Sequence, residues 1–283
     1  MTQSAQEIVN IDNQQKSPSQ RIWEVDFLRG FLLLFVVLDH LMFNLWYFCQ
    51  HSKTALFSWL YTVAVDYYDA QTFLGGLQTS LHNGFIMAFV FIAGVSSNFS
   101  TNNSNRALKM TAVALILTAL TNLLSQVIYR PLEINFNVIH VIAVCCFVYC
   151  WLEQLKRKQS DSQRKVTTMV TLAVAVALGV VGYCFHVNPV ADGGLFVVFV
   201  NCGNSVTFSP ADYLPLFPAL SYFIVGSYIG KIAYKKGKSL FGQKPKFVQP
   251  LCWCGQKSLY VYLASQLAMF VFFYLFAHLV PVL

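Results

Sequence analysis

Seven long apolar segments constrain the fold of this chain more than any other feature of its sequence. They cover approximately residues 26–49, 82–100, 107–129, 134–155, 166–186, 213–232 and 257–280. Each is close to the roughly 20 apolar residues that an α-helix needs to cross a bilayer. Only 11% of the 283 residues are charged, whereas an average soluble domain is roughly 25% charged. The sequence therefore predicts an all-α, polytopic membrane helical bundle with about seven transmembrane helices.

Two shorter apolar stretches interrupt this pattern. The stretch ALFSWLYTVAVDYY, residues 55–68, is too short to cross a bilayer and predicts an interfacial or re-entrant helix. The sequence also predicts a break in the chain at Gly75 and Gly76, before the second long segment. The stretch GLFVVFVNCG, residues 194–203, is rich in β-branched and aromatic residues, which favours a strand-like or partly inserted loop.

The first 20 residues are polar and lack the apolar core of a secretory signal. They predict a disordered cytoplasmic tail over residues 1–20, followed by a single transmembrane domain over residues 21–283.

Lysine and arginine residues occupy alternate loops between the apolar segments. One set of loops contains the clusters at 106–109, 156–165 and 231–257, and the opposite set contains Lys53 and Arg130. Because cytoplasmic loops carry an excess of these residues, we expect a cytoplasmic N-terminus and a C-terminus outside. The protein would be a multi-pass protein of the plasma (cytoplasmic) membrane. Its net charge of +7 is then explained by orientation and anionic lipid headgroups rather than by nucleic acid.

Common cofactor motifs are missing from the sequence. It has no Walker loop, no GxGxxG and no GxSxG, which gives no support to ATP, dinucleotide or serine-hydrolase chemistry. Cys252 and Cys254 form one C-x-C without a companion motif, which is weak evidence for zinc. We predict no metal and no tightly bound cofactor.

The first apolar segment carries Asp39 and His40 side by side. A charged residue near the centre of a membrane span costs about 2.5–3.5 kcal/mol, so such a pair indicates a function or a partner. Adjacent helical side chains point in different directions, so Asp39 should not hold the His40 ring, whereas Asn44 shares a face with His40. The alternative for His40 is an ordinary hydrogen bond between helices.

Two further histidines are candidates for the same chemistry. His82 stands at the predicted start of the second span, and His140 lies three residues after Asn137 in the fourth. His82 could instead be an interfacial residue, and Asn137 and His140 could instead hold helices together.

Five segments carry a resemblance to a known family. They are EVDFLRGFLLLFVVLDH at 24–40, FVFIAGVSSNFSTNNSNRALKM at 89–110, INFNVIHVIAV at 134–144, DYLPLFPALSYFIVGSYIGK at 212–231 and GQKSLYVYLASQ at 255–266. In this order they resemble the catalytic domain of the heparan-alpha-glucosaminide N-acetyltransferase family, bacterial branch. The resemblance implies transfer of an acetyl or acyl group from cytosolic acyl-CoA, a co-substrate, to an amine or hydroxyl outside. The acceptor would be a saccharide or an envelope glycan.

The resemblance departs from the family pattern in its last motif and leaves the catalytic histidine open. Relatives tend to read S-L-x-x-Y-x-x-H-Q-P, whereas this chain has Ser265 at the histidine position. The histidine typical of bacterial relatives matches His40, and the active histidine of the animal enzyme is nearest to His82.

Together these arguments give two sets of candidate residues. Because histidine can act as a base or a nucleophile near neutral pH, the catalytic candidates are His40, Asp39, His82 and His140. The candidates for binding substrate or CoA are Asp26, Arg29, Asn44, Asn98, Arg106, Asn137 and Asp212. Structural alternatives stay open: Asp26 with Arg29 as a helix-start pair, the polar segment 98–106 as a helix cap, and Asp212 as a helix-start acid.

Two other functions compete with acyl transfer. Asp39, His40 and His140 could form the relay of a small-solute transporter, although the sequence shows no clear internal repeat of the kind common in transporters. A non-catalytic envelope protein is the other alternative, and Ser265 supports it. In every case the lipid bilayer is a partner, and assembly into a homo-oligomer is compatible with the sequence.

Overall fold

The computed structural model describes residues 22–50, 52–100, 102–128, 131–235 and 237–279. The predicted tail at residues 1–20 lies outside the described residues, and so do His51 and Arg130. For residues 276–279 only the backbone is described.

The described chain is built from helices and contains no strand in these ranges. The α-helices are α1 Trp23–Cys49, α2 Ala55–Tyr68, α3 Phe73–Ser97, α4 Asn103–Ile128, α5 Val138–Arg157, α6 Asp161–Val187, α7 Ser205–Phe208, α8 Leu216–Ala233, α9 Gln249–Gln256 and α10 Ser258–Leu279. Short 3₁₀ helices lie at Gly194–Val198 and Lys246–Val248. Seven of the described helices are long and apolar enough to cross a membrane, namely α1, α3, α4, α5, α6, α8 and α10. The predicted all-α membrane bundle of about seven spans is confirmed.

The outward faces of these helices are themselves apolar. Leu115 and Ile116 on α4 are 64% and 65% exposed, and Val176 on α6 is 58% exposed. A soluble protein rarely leaves apolar patches of this kind in contact with water. In a bilayer these side chains face lipid, which explains why α4 and α6 each contain a long apolar stretch of which little is buried.

The helices group into two compact units. The first unit comprises Trp23–Ile92 and the chain from Phe241 onward, and the second comprises Ala93–Leu240. The boundary falls within α3, between Ile92 and Ala93.

In the first unit, α1 packs against α2, α9 and α10. Two glycines allow the backbones of α1 and α9 to approach closely. A Cβ on Gly30 would lie 1.9 Å from the carbonyl oxygen of Leu251. A Cβ on Gly255 would lie 1.8 Å from the carbonyl oxygen of Asp26. Arg29 strengthens this crossing by donating from its guanidinium to the Gly255 carbonyl at 3.1 Å. Farther along α1, Leu45 and Cys49 form a buried cluster with Ala64 of α2 and Phe273 of α10.

In the second unit, α4 packs on α5, and α8 packs on both α5 and α6. Glycines again allow close backbone contact, because a Cβ on Gly182 of α6 would lie 2.4 Å from the Pro218 nitrogen. Phe223 of α8 is fully buried. These contacts fix the helix ends that carry the polar residues of this unit.

Two details of the predicted chain path are wrong. Gly75 and Gly76 do not break the chain, because α3 begins at Phe73 and runs through both. Thr72 caps its start by accepting from the Gly75 amide at 3.0 Å, and the missing Cβ lets Gly75 lie against the Asp69 carbonyl, which a Cβ would approach to 1.9 Å. The glycine is therefore there for close packing.

Residues 194–203 are also not strand-like. Gly194–Val198 is a 3₁₀ helix, and the sole extended pairing described there is one bridge between Val190 and Cys202. Val197 and Cys202 are buried under this turn, so the β-branched residues serve a local apolar cluster. The stretch 55–68, in contrast, is the short helix that the sequence predicts.

Candidate functional site

Asp39 is the centre of a polar cluster inside the first unit. Its Oδ1 accepts from the Tyr67 hydroxyl at 3.2 Å and from the Gln78 side-chain amide at 3.4 Å. The same oxygen lies 3.4 Å from Nδ1 of His82. Two helices, α2 and α3, thus place donors around the carboxylate group that α1 carries within an apolar bundle.

His82 is held by this carboxylate in a defined orientation. Gln78 and His82 are four residues apart on α3, so both side chains lie on one face and reach Asp39 together. A carboxylate only accepts, so Nδ1 of His82 is the protonated nitrogen in this contact. Nε2 then lies on the side of the ring away from Asp39. The side chain of His82 is 33% exposed and that of Asp39 is 20% exposed, so the pair is partly buried and still accessible.

Two tyrosines of α2 complete the cluster. The Tyr67 hydroxyl donates to the Asp39 side chain, and the Tyr68 hydroxyl donates to the Asp39 backbone carbonyl at 3.1 Å. Burial and, after it, the nearby Asp39 charge raise the pKa of both tyrosines above the usual value of 10.0. Both hydroxyls therefore remain protonated donors at physiological pH and keep Asp39 in place.

His40 faces a different environment from His82. Its Nδ1 lies 2.8 Å from the Val36 carbonyl, one turn earlier on α1. The expectation that Asp39 does not hold this ring is met by that contact. Asn44 shares the face of His40 as expected, but it donates to the His40 backbone carbonyl at 2.7 Å.

The last helix also contributes to the surroundings of His40. The ring of Tyr262 on α10 meets the His40 ring edge-on, with centroids 5.7 Å apart. Ser265, which stands where relatives have a histidine, donates to the Tyr262 carbonyl at 2.8 Å. This serine thus makes a contact within its own helix.

His140 belongs to a separate polar network in the second unit. Its Nδ1 lies 2.9 Å from Oδ1 of Asn137, and its Nε2 lies 3.0 Å from the Thr118 hydroxyl of α4. Asn137 is fully buried, caps α5 and donates from its amide to Asp212 at 3.1 Å. Asp212 therefore reaches His140 through Asn137, and the predicted pairing of Asn137 with His140 is present.

The candidate anion-binding residues already have protein partners. Arg29 lies 3.6 Å from Asp26 in an i,i+3 ion pair near the start of α1. Arg106 donates to the hydroxyl of Ser97 at 3.3 Å, and Asn98 donates to the Ser227 carbonyl at 2.8 Å while it accepts from Tyr149. Asp26 and Arg29 thus form the helix-start pair that was their alternative, and Asn102 caps α4 by accepting from the Asn105 amide at 2.9 Å.

Of the catalytic candidates, the structure brings Asp39 and His82 together in the first unit. In the second unit it joins His140 to the binding candidates Asn137 and Asp212. Sequence reasoning places His82 at the start of a span, but it lies well inside α3. The correction follows from the earlier start of that helix, at Phe73.

Three members of the Asp39 cluster were missed from the sequence: Tyr67, Tyr68 and Gln78. A signal existed for the tyrosines, because two adjacent hydroxyls end an otherwise apolar helix that is too short to span. Gln78 offered the weaker signal of an amide four residues before a histidine.

Among the residues described, no group of three or more histidine, cysteine, aspartate or glutamate side chains is arranged to hold a metal ion.

Seven membrane-length helices that carry partly buried ionisable side chains define a polytopic integral membrane protein, in which such residues usually mark a functional site. The family described as "Heparan-alpha-glucosaminide N-acetyltransferase, catalytic" matches residues 21–267. The chain belongs to this family, as its motifs indicate, and the family implies a membrane acetyltransferase-type activity. No curated protein and no solved structure matches the chain.

Proposed function

We propose that this protein transfers an acetyl or acyl group from acyl-CoA, bound from the cytoplasm, to an amine or hydroxyl on the opposite side of the plasma membrane. The acceptor would be a saccharide or an envelope glycan. The observation that carries the proposal is the contact of the Asp39 carboxylate with His82, within a chain that belongs to an acetyltransferase family. Such a carboxylate–imidazole pair is the arrangement that activates a nucleophile in acyl transfer.

In this mechanism His82 is the general base. Its Nε2 takes the proton of the acceptor amine or hydroxyl as the acceptor attacks the thioester carbonyl. The new bond joins the acceptor to the acyl carbon, the carbon–sulfur bond breaks, and the proton passes from His82 to the CoA thiolate. Asp39 holds the Nδ1 proton and stabilises the transient imidazolium, as the carboxylate does in other triads.

A covalent route uses the same geometry. Nε2 of His82 would attack the thioester first and CoA would leave as the thiolate. The acceptor would then displace the acyl group from the ring, and the proton that the acceptor loses would neutralise the thiolate. Both routes need Asp39 in its ionised form and His82 with its proton on Nδ1.

His40 remains the other candidate from the resemblance. Its ring contacts a backbone carbonyl and an aromatic edge, whereas His82 contacts a carboxylate, so His82 is the better oriented base. CoA phosphates would attract Arg29 or Arg106, and each arginine would have to exchange a present protein contact for the phosphate.

The test is CoA release from acetyl-CoA by the purified protein in lipid vesicles, with and without a panel of glucosaminides. We expect acceptor-dependent release by the wild-type protein and a loss of about 10²–10⁴-fold in His82→Gln, as for removal of a general base. His186→Gln is the matched control, because this histidine is exposed near the end of α6 and should retain activity.

Parallel measurement of His40→Gln decides between the two histidines. Full activity in His82→Gln with loss in His40→Gln would contradict the assignment of His82. Absence of both acceptor-dependent release and saturable acyl-CoA binding in the wild-type protein would contradict acyl transfer itself.

A further inference from the structure

A cleft in the second unit contains charges that the proposed transfer reaction does not use. It lies among the last turns of α5, the first half of α6 and the last turns of α8. These helix ends adjoin the lysine-rich and arginine-rich loops that follow α5 and α8. The cleft therefore lies at the strongly basic end of the helices.

Two lysines share one carboxylate in this cleft. The Lys231 ammonium lies 2.5 Å from Oε1 of Glu153, and the Lys156 ammonium lies 3.9 Å from the same oxygen. Glu153 is the sole acidic residue among those that line the cleft. The two ammonium groups carry two positive charges and the carboxylate carries one negative charge, so one positive charge is left in excess. A phosphate-type anion between the two ammonium groups would complete the charge balance.

The rest of the lining has the chemistry of an amphiphile site. Leu152, Leu172 and Ile224 provide an apolar wall, and Thr168 and Tyr228 add side-chain hydroxyls beside the lysines. All three helices are long and apolar enough to cross a membrane. A ligand with a phosphate head and a hydrocarbon tail matches both parts of this surface, whereas a wholly soluble anion would match the charged part alone.

The exposure of the three charged side chains favours a role in ligand binding over a role in stabilising the fold. The side chains of Lys156 and Lys231 are 19% and 41% exposed, and that of Glu153 is 33% exposed. Ion pairs at this degree of exposure contribute little to folding stability. The Lys231 ammonium also lies 5.6 Å from the centre of the Tyr149 ring, a contact that holds its position at the edge of the cleft.

We propose that this cleft binds the phosphate headgroup of an anionic phospholipid of the leaflet on the side of the basic loops, with Lys156 and Lys231 as its ligands. Basic pockets between transmembrane helices on the cytoplasmic side are the usual sites for such headgroups. The lipid's tail lies along the apolar wall. Binding requires no acyl transfer, so the proposal stands independently of the catalytic function.

The experiment measures retained phospholipid by native mass spectrometry after the full-length protein is delipidated and given phosphatidylglycerol or phosphatidylcholine. We expect preferential retention of phosphatidylglycerol, weakened about thirtyfold in the double variant Lys156→Gln/Lys231→Gln, since each lysine near a headgroup contributes on the order of 1 kcal/mol. Arg157→Gln/Lys235→Gln is the matched control: it removes two charges at the same end of the helices, from residues that do not line the cleft.

A third variant keeps the proposal testable if the double variant does not fold. Glu153→Gln preserves both lysines and removes their competing carboxylate, so phosphatidylglycerol retention should increase. Decreased retention in Glu153→Gln would overturn the proposal, as would equal losses in the cleft variant and the control.

Two competition experiments distinguish a lipid headgroup from a soluble phosphate as the ligand of the cleft. Inorganic phosphate or free CoA, added at the concentration of the lipid, should leave phosphatidylglycerol bound. Displacement by either would show that the cleft recognises a soluble anion and would overturn the assignment to lipid.

Discussion

Asp39 matters at the scale of single residues because its carboxylate organises donors from two other helices. Tyr67, Gln78 and His82 all point to one oxygen, and a partly buried carboxylate with several donors is held rigidly. The position of His82 thus depends on a residue of another helix.

Asp39→Asn should lower kcat of acyl transfer by about 10²–10⁴-fold, because an amide can present the wrong group to Nδ1 and cannot stabilise an imidazolium. Asp66→Asn is the matched control, since Asp66 is exposed on α2. Steady-state kinetics of both variants in lipid vesicles checks this. A loss confined to KM would contradict a role in the chemical step.

Tyr67 and Tyr68 should make the protein sensitive to alkaline pH. Their pKa values are raised above 10.0 in the folded protein, so the unfolded chain loses these protons first. The stabilisation is fully present below about pH 10 and is lost as the pH rises above it. The double variant Tyr67→Phe/Tyr68→Phe should lose less stability between neutral and alkaline pH, measured as the fall in Tm. An unchanged fall would contradict this linkage.

Asn137 should contribute more to stability than an exposed cap of similar geometry. It caps α5, contacts His140 and donates to Asp212 while fully buried. Asn137→Ala removes the cap and leaves buried partners unsatisfied, at a cost of about 2–4 kcal/mol. Ser160→Ala removes the exposed cap of α6 and should cost about 1 kcal/mol or less. Thermal unfolding in detergent compares them, and equal Tm shifts would contradict the argument.

At the scale of helices, small residues determine which elements of the first unit pack together. Helices in a membrane lack a hydrophobic driving force for association, so close packing at glycines carries much of the contact. Gly30 of α1 and Gly255 of α9 meet almost backbone to backbone, and the Arg29 contact with the Gly255 carbonyl lies at the same crossing.

Gly30→Ala should destabilise the protein by about 1–3 kcal/mol, because its Cβ would overlap the Leu251 carbonyl and the backbones would have to separate. Gly84→Ala is the matched control: it is the same substitution in α3 of the same unit, and a Cβ there meets no atom within 4 Å. Tm in detergent distinguishes the two. A similar loss in Gly84→Ala would show that backbone propensity, and not the crossing, explains the effect.

At the scale of the whole molecule, the chain crosses the membrane by way of seven apolar helices. The basic clusters at 156–165 and 231–257 follow α5 and α8, and such clusters stay in the cytoplasm. We therefore expect alternate loops on opposite sides and the two termini on opposite sides.

Reporter fusions test this topology. A fusion after Lys158 should report the cytoplasm, and one after Asp192, in the next loop, should report the outer side, because lysine and arginine near span ends resist translocation. A fusion after Lys235 serves as a second cytoplasmic point. The same side for Lys158 and Asp192 would contradict the order of the spans.

The sequence alone determined the membrane class, the number of long helices, the family and the helix at 55–68. These features depend on the length of apolar segments and on local motifs, and both are properties of consecutive residues. It also identified Asp39, His82, His140 and Asn137 as candidates, because ionisable and amide groups in apolar helices are unusual. It misjudged Gly75, since a glycine that allows close packing and one that breaks a helix look alike in one dimension.

Only the tertiary structure decided which of these residues meet. Asp39 is adjacent in sequence to His40 and yet contacts His82, because neighbouring helical side chains diverge while side chains of α1 and α3 meet, as Phe35 and Phe85 also do. Tyr67, Tyr68 and Gln78 joined the site for the same reason: the fold of α2 and α3 brings them to one carboxylate across intervals that no local pattern encodes. The pairing of Lys231 with Glu153, from helices far apart in the chain, is set by packing in the same way.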